Sequence, residues 1–435
     1  MHHTLSLITG FVGAAAVAAA CSGPGESNTT SGAHGGHGST TLGSGGTGLG
    51  SGTAGGGLIG AAGGSTVPCP PDPDPDGDGD GDGWTIHEGD CDECNPRANP
   101  GAIDALVGQA DGPPVAADLD CDGVVMLPAP CDQGLSIDDT DPMSAARALD
   151  LCQTTSAAPA TKKERRWGVL AARWVSASGV EPRSPGAQAG ILGGFGKSVH
   201  AQSGARLLAL SSGRARTPEQ PGACGGPSCS TVSNVDPPEG YPLPVPGCEG
   251  GTIINDDVAL EVDLRAPTNA IGLRFAFKFH SFEWPEWVCT PYNDQFVAIV
   301  SPAPPGSIKG NVAFDAQTHP VSVNLGFFDV CDPTTSPYFA TNCGAPVNCP
   351  DPPNPYCADG KGELSGTGFD SWGEAGATRW LSTRAPVAGG ADIKVRFAIW
   401  DTTDQSLDST VLLDAFTWIT TGAASVSTEP ITASQ

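Results

Sequence analysis

Three observations in the sequence predict a mainly β protein. Apolar and polar residues alternate at period two through several segments of the C-terminal half, the mark of strands with one buried face. Gly (60) and Pro (40) are abundant and only 16% of the 435 residues are charged, a loop-rich composition with little helix. Fifteen cysteines fit an oxidising compartment. The predicted architecture is an antiparallel β-sandwich, jelly-roll-like, preceded by a small disulfide-rich acidic module and a disordered Gly/Ser tether.

Residues 1–20 read as a signal peptide. Leu5 to Ala20 is uncharged and apolar, too short for a span of about 20 residues. It ends Val17, Ala18, Ala19, Ala20, Cys21, and small residues directly before a Cys resemble the bacterial lipobox. That resemblance implies cleavage before Cys21 and lipidation of its sulfur. Ala18 stands where Leu is commoner, and the start lacks Lys or Arg, so an ordinary signal peptide with an incidental Cys is the alternative. No other segment is long and apolar enough to span a bilayer, so the lipid is the expected membrane attachment, at the outer membrane or cell surface. Setting Cys21 aside leaves fourteen cysteines, six up to Cys152 and eight from Cys224, so all can pair within their own half. Residues 21–68 are Gly, Ser, Thr and Ala with almost no large apolar side chain, and are expected to stay unfolded. His34 and His37 in that tether are a weak metal signal.

Residues 69–152 form the acidic module. Positions 69–150 hold 20 acidic and 2 basic side chains out of a total net charge of −27. A basic footprint is missing, which argues against nucleic acid and toward cations. Asp72, Asp74, Asp76, Asp78, Asp80 and Asp82 alternate with Pro and then Gly up to Trp84. Alternating carboxylates with Gly at the turns can wrap a chain around calcium, which takes 6–8 oxygen ligands. The closing Glu of an EF-hand is absent, since the twelfth position from Asp78 is Gly89. The run resembles the calcium loops of thrombospondin type 3 repeats and bacterial surface linkers. Glu88 to Ala102, with Asp90 and Asp92, resembles a short metal-binding repeat of myxobacterial surface proteins, and Asp118 to Gly123, with Asp120 and Asp122, its other half. Calcium is therefore the expected cofactor; a solvated acidic linker is the alternative reading. Cys91-x-x-Cys94 lacks the second half of a zinc site and is expected to serve disulfides. Residues 153–164 read as a linker whose basic patch, Lys162 to Arg166, is an exposed link or a contact for the acidic module.

The sandwich is expected over 165–424, with a polar tail at 425–435. Val258, Leu260, Val262 and Leu264 alternate with polar or small residues, as do Ile271 to Phe279 and Ile393 to Ile399, and further strands are expected at 295–300, 321–328 and 410–418. An ordered run of motifs follows: Asn255 to Asn269, Ser281 to Ala298 with Glu283, Trp284, Glu286, Trp287, Asn293 and Asp294, Asn311 to Asp315, Pro320 to Asn324, Gly366 to Phe369, Gly376 to Leu381, and Phe397 to Asp414 with Asp401, Asp404 and Asp408. This run resembles the choice-of-anchor L domain of bacterial secreted proteins, strongly over 250–420. The resemblance implies a surface protein with a variable anchor and no established activity.

Within it, Asp401, Asp404 and Asp408 are expected either to hold a second metal or to cap turns. Glu283, Trp284, Glu286, Trp287, Asn293 and Asp294 are expected as a ligand patch, with glycoside hydrolysis the enzymatic alternative. Gly193 to Ser198 mimics a phosphate loop but has Ile191 where Gly is required. The leading expectation is a non-enzymatic surface binding or adhesion protein facing an extracellular protein or glycan, with no nucleic acid and no organic cofactor. The rivals are a secreted glycan hydrolase and a structural envelope component.

Overall fold

The computed structural model describes residues 74–109, 112–248, 250–324, 327–332, 357–372 and 375–432. Cys21, Asp72 and the tether lie outside these. The strands are β1 (Ala105–Gln109), β2 (Gly112–Ala117), β3 (Gly168–Val175), β4 (Ala189–Leu192), β5 (Leu207–Ser211), β6 (Ile254–Arg265), β7 (Gly272–Ser281), β8 (Gln295–Ser301), β9 (Val330–Cys331), β10 (Gly376–Ala377), β11 (Leu381–Pro386), β12 (Asp392–Thr402), β13 (Ser409–Ile419) and β14 (Ser427–Pro430), with one helix, α1 (Pro142–Arg147). Two antiparallel sheets make the sandwich. One has the order β14-β11-β7-β13-β5-β4, with β10 and β9 added beside β7; the other runs β3-β6-β12-β8.

The period-two pattern decides which face turns inward. Val258, Leu260, Val262 and Leu264 of β6 share one core with Val395, Phe397 and Ile399 of β12, and with Phe275, Phe277 and Phe279 of β7 from the opposite sheet. Phe275 meets Phe397 edge-on at 5.1 Å, and Phe277 meets Phe296 at 5.4 Å, so the rings interlock across the two layers. Each such fully buried side chain contributes about 1.5–3 kcal/mol.

The outer faces are less bare than alternation predicts. Ala259, Ala398 and Trp400 are covered by Tyr241 and Leu243 of the long connection before β6. On the other sheet, Leu207, Ala209 and Leu412 are covered by Phe195, Val199, Leu364 and Phe369. The phosphate-loop mimic is thus packing material: Phe195 is buried and the Lys197 N–H donates to the Ser365 carbonyl at 2.9 Å. Lys278 and His280, on the outward face of β7, are buried beneath this cover. Lys278 Nζ reaches Glu363 Oε2 at 2.7 Å, while His280 sits between Phe195 and Phe369 at 5.1 and 5.3 Å.

Four boundaries differ from the sequence reading. The segment 321–328 is not a strand among its described residues: Val321 and Val323 are buried, yet Val321 makes only an isolated bridge to Phe296. Burial there is continuous from Val321 to Asn324 and arises without ladder pairing. Ser427–Pro430, in the expected polar tail, pairs with β11 and closes a sheet edge. The end of the acidic module belongs to the sandwich, because Ala145, Ala146, Ala148 and Leu149 in and after α1 join its core. The expected linker is ordered as well: the Thr155 N–H donates to the Val169 carbonyl at 2.9 Å, and the Ser156 carbonyl accepts from Arg265 Nη1 at 3.0 Å.

The module seats on the loop between β6 and β7. The Thr268 N–H donates to the Gly101 carbonyl (2.9 Å), and Asn269 makes a two-way bond with the Ile103 backbone (3.1 and 2.8 Å). Arg97 reaches the Thr420 carbonyl at 2.6 Å. Cys91–Cys121 and Cys131–Cys152 staple the acidic half, and Cys224–Cys229, Cys248–Cys289 and Cys331–Cys357 the sandwich half.

Candidate metal centre

The Asp-Gly run folds on itself because each carboxylate takes up nearby amides. Asp78 Oδ1 accepts from the Gly81 N–H (2.7 Å) and Oδ2 from Gly83 (3.0 Å); Asp80 Oδ1 accepts from Asp82 (3.1 Å), and Asp82 Oδ1 from Trp84 (2.7 Å). Gly81 and Gly83 have φ of 82° and 90°, the left-handed region that favours glycine. The result places one oxygen each of Asp78, Asp80 and Asp82 within 4.8 Å of one another. Glu93 closes the cradle from below, its Oε2 accepting the Gly79 N–H at 2.8 Å.

Three oxygens of this cradle are buried without a donor: Asp80 Oδ2, Asp90 Oδ2 and Glu93 Oε1. Asp90 and Glu93 are only 4% and 5% exposed. Burial, reinforced by Asp82, Glu93 and Asp80, pushes the Asp90 carboxyl up to about 6. Burial also raises Asp80 and Asp82, with neighbouring carboxylates adding to the shift. An oxygen-only donor set of this charge fits a hard cation such as calcium.

A second group gathers Asp104, Asp118 and Asp120. Asp104 is largely satisfied, accepting from Leu119 (2.8 Å) and Met126 (2.6 Å), whereas Asp118 Oδ1 is buried without a donor. The remaining acidic residues named from the sequence point elsewhere. Asp74 caps the Asp76 amide (3.1 Å), Asp76 pairs with His87 at 2.7 Å, Asp92 caps Cys94 (3.3 Å), and Asp122 caps Val124 (2.8 Å); all four are exposed. Glu93, Asp104 and Asp118 were not singled out by the alternation, because they approach from separate turns. The Asp-Cys-Asp-Glu-Cys cluster around Glu93 and the motif that opens at Asp118 were the available signals.

The basic patch bears on the module. Lys162 Nζ bonds the Gly83 carbonyl, lies 2.5 Å from Glu88 Oε2 and sits 5.0 Å above the Trp84 ring. Arg166 meets Asp120 at 3.3 Å. Cys91 pairs with Cys121 and Cys94 is also disulfide-bonded, so neither offers a thiolate.

The expected ligand patch in the sandwich is divided. Glu283, Trp284, Asn293 and Asp294 are buried, Glu286 is exposed, and Trp287 is half-buried against Tyr292 at 5.1 Å. Glu283 and Glu286 therefore do not face one cleft as a glycosidase pair. Of the expected second metal group, Asp401 is fully buried, Asp404 caps the Ser406 amide (3.1 Å), and Asp408 accepts from the Cys229 N–H (2.9 Å). Asp408 instead clusters with Cys224 and Cys229, whose sulfurs are locked in a disulfide.

Residues 207–418 match the family model described as the choice-of-anchor L domain. The chain carries that domain. The choice-of-anchor L match spans β5 to β13 and leaves β3 and β4, each at a sheet edge, outside it. It points to an exported, surface-associated protein of non-catalytic type. No curated protein and no solved structure matches the chain. No helix among the described residues is long and apolar enough to cross a membrane.

Proposed function

We propose that this chain is a lipid-anchored, non-enzymatic surface protein whose choice-of-anchor L sandwich binds an extracellular protein or glycan, braced by calcium in the acidic module. The observation that carries the calcium reading is the cradle of Asp78, Asp80, Asp82, Asp90 and Glu93, with three buried oxygens that meet no donor. Such oxygens cost free energy unless a cation or proton satisfies them. Neighbouring carboxylates also repel one another until a cation neutralises them. Outside the cell calcium stands at levels that suit weak extracellular sites, with affinities of about 10⁻⁴–10⁻³ M.

Calorimetric titration of the EDTA-stripped full chain with calcium tests this. Saturable heat with a component that is lost in Asp80→Asn/Glu93→Gln is the expected result. A flat trace with the folded wild type removes the calcium brace.

A further inference from the structure

A separate acidic cluster closes the polar end of the sandwich core. Asp294 precedes β8, Asp401 lies just past the bulge in β12, Glu283 follows β7, and Ser409 opens β13. The pairing of Trp400 with Gln295 sets Asp401 beside Asp294, and Ser409 pairs with Ser281. Ser409 Oγ joins the two sheets, 2.7 Å from Asp294 Oδ2 and 3.0 Å from Ser281 Oγ. Asp294 Oδ1 accepts from the Thr402 N–H, and the Asp294 N–H donates to Glu283 Oε2, both at 3.1 Å.

The cluster is buried and anionic. Asp401 is 0% exposed, Glu283 and Asp294 1% each. Both carboxylate oxygens of Asp401 are buried without a donor. Among the described residues no Lys, Arg or His makes an ion pair with Glu283, Asp294, Asp401 or Asp408; the nearest positive influence is Arg214, acting on Asp408. Three ionised carboxylates in such a place cannot stand without a counter-charge. Burial raises all three acids, Asp294 to about 8; the Asp294 charge adds to the rise of Glu283 and Asp401, and Asp408 to that of Asp294 and Asp401.

We propose that Asp401, Asp294 and Glu283, together with the Ser409 hydroxyl, hold one hard divalent cation of the calcium class between the ends of the two sheets. The donors are all oxygens, and Asp401 offers two that make no well-formed hydrogen bond, with Ser212 and Asp294 close enough to act on them. The carboxylates are gathered less tightly than those of Asp78, Asp80 and Asp82, so loading closes the Asp401 and Glu283 side chains onto the ion. The competing way to neutralise the cluster is a proton shared between Asp294 and Asp401.

The test uses the full chain carrying Asp78→Asn, Asp80→Asn, Asp82→Asn, Glu93→Gln, Asp118→Asn and Asp120→Asn, which removes both carboxylate groups of the module without touching this cluster. After EDTA stripping, equilibrium dialysis in calcium up to about 10 mM, well above the extracellular range, measures bound metal per chain. The expected result is calcium retained by this variant and a calcium-dependent rise in Tm. Adding Asp401→Asn weakens that binding by at least about tenfold, as loss of a ligand-shell group does. Should Asp401→Asn not fold, Ser409→Ala reports the same site by weaker retention. Two results overturn the proposal: a folded module-silenced variant that binds no calcium, or an Asp401→Asn chain that gains Tm equally in EDTA and in calcium, which is the signature of the shared proton. Failure here leaves the module's own calcium heat unaffected, so the two readings fall separately.

Discussion

Glu261 shows how one residue organises the exposed side of a sheet. It stands on β6 with its carboxylate 1% exposed, and meets Arg173 at 2.7 Å, Lys394 at 3.0 Å and Arg396 at 2.6 Å from the two flanking strands. Burial alone would raise its carboxyl, but the hydrogen bonds from Arg396 and Lys394 and the charges around them outweigh burial and hold it below the ordinary range. A depressed acid stabilises the fold above the unfolded value, and that contribution is lost as pH falls through the folded one. Stability carried by Glu261 is therefore present at neutral pH and lost on acidification below the usual glutamate range. Glu261→Gln leaves three cations clustered on one sheet face. Because Arg173 and Lys394 keep solvent contact, the expected loss is about 2–3 kcal/mol, below the 3–5 of a fully buried pair. Urea unfolding at pH 7 measures it, and the gap between variant and wild type should shrink at pH 3. The period-two pattern places Glu261 on the outward face correctly. It carries no sign of Arg173, which lies 88 residues earlier and reaches Glu261 only through strand pairing.

At the scale of elements, legibility follows the reach of the interaction. The strands over Val258, Phe275, Phe397 and Val411 were readable because a half-buried ladder writes its own alternation into the chain. The covers over the outer faces were not. Phe195, Tyr241 and Phe369 sit in irregular segments, where burial depends on what lies beneath rather than on any local period. The candidate metal cradle was half legible for the same reason: Asp78, Asp80 and Asp82 announce themselves, while Asp90 and Glu93 arrive from the next turn. Asn99 ties that cradle to the sandwich. Its Nδ2 donates to Asp82 Oδ2 (2.7 Å), while its Oδ1 accepts from the Gly101 N–H (3.0 Å) and from Thr268 Oγ1 (2.7 Å). Asn99→Ala leaves these buried and half-buried partners unmet, an expected cost of about 1–3 kcal/mol. Limited proteolysis should then cut the acidic module well before the sandwich. Equal protection of both parts would show that the module docks without this bridge.

For the whole molecule, the proposed attachment, the proposed brace and the sandwich follow one another along the chain. All described cysteines are disulfide-bonded, and the five bridges between described cysteines stay within their own half, as an even count on each side of the boundary anticipates. The proposed lipid on Cys21 is checked by labelling: radiolabelled fatty acid should enter the wild type and not Cys21→Ala, and equal labelling ends that proposal. The family match, which begins at residue 207, carries a practical lesson about where this domain starts. Cutting there removes β3 from beside β6 and β4 from beside β5. A long row of backbone amides and carbonyls on β6 and a short one on β5 would then face water unpaired, ready to recruit strands from neighbouring molecules. The minimal soluble unit is accordingly longer than the recognisable signature, and it reaches back to α1, whose alanines fill the floor of the core.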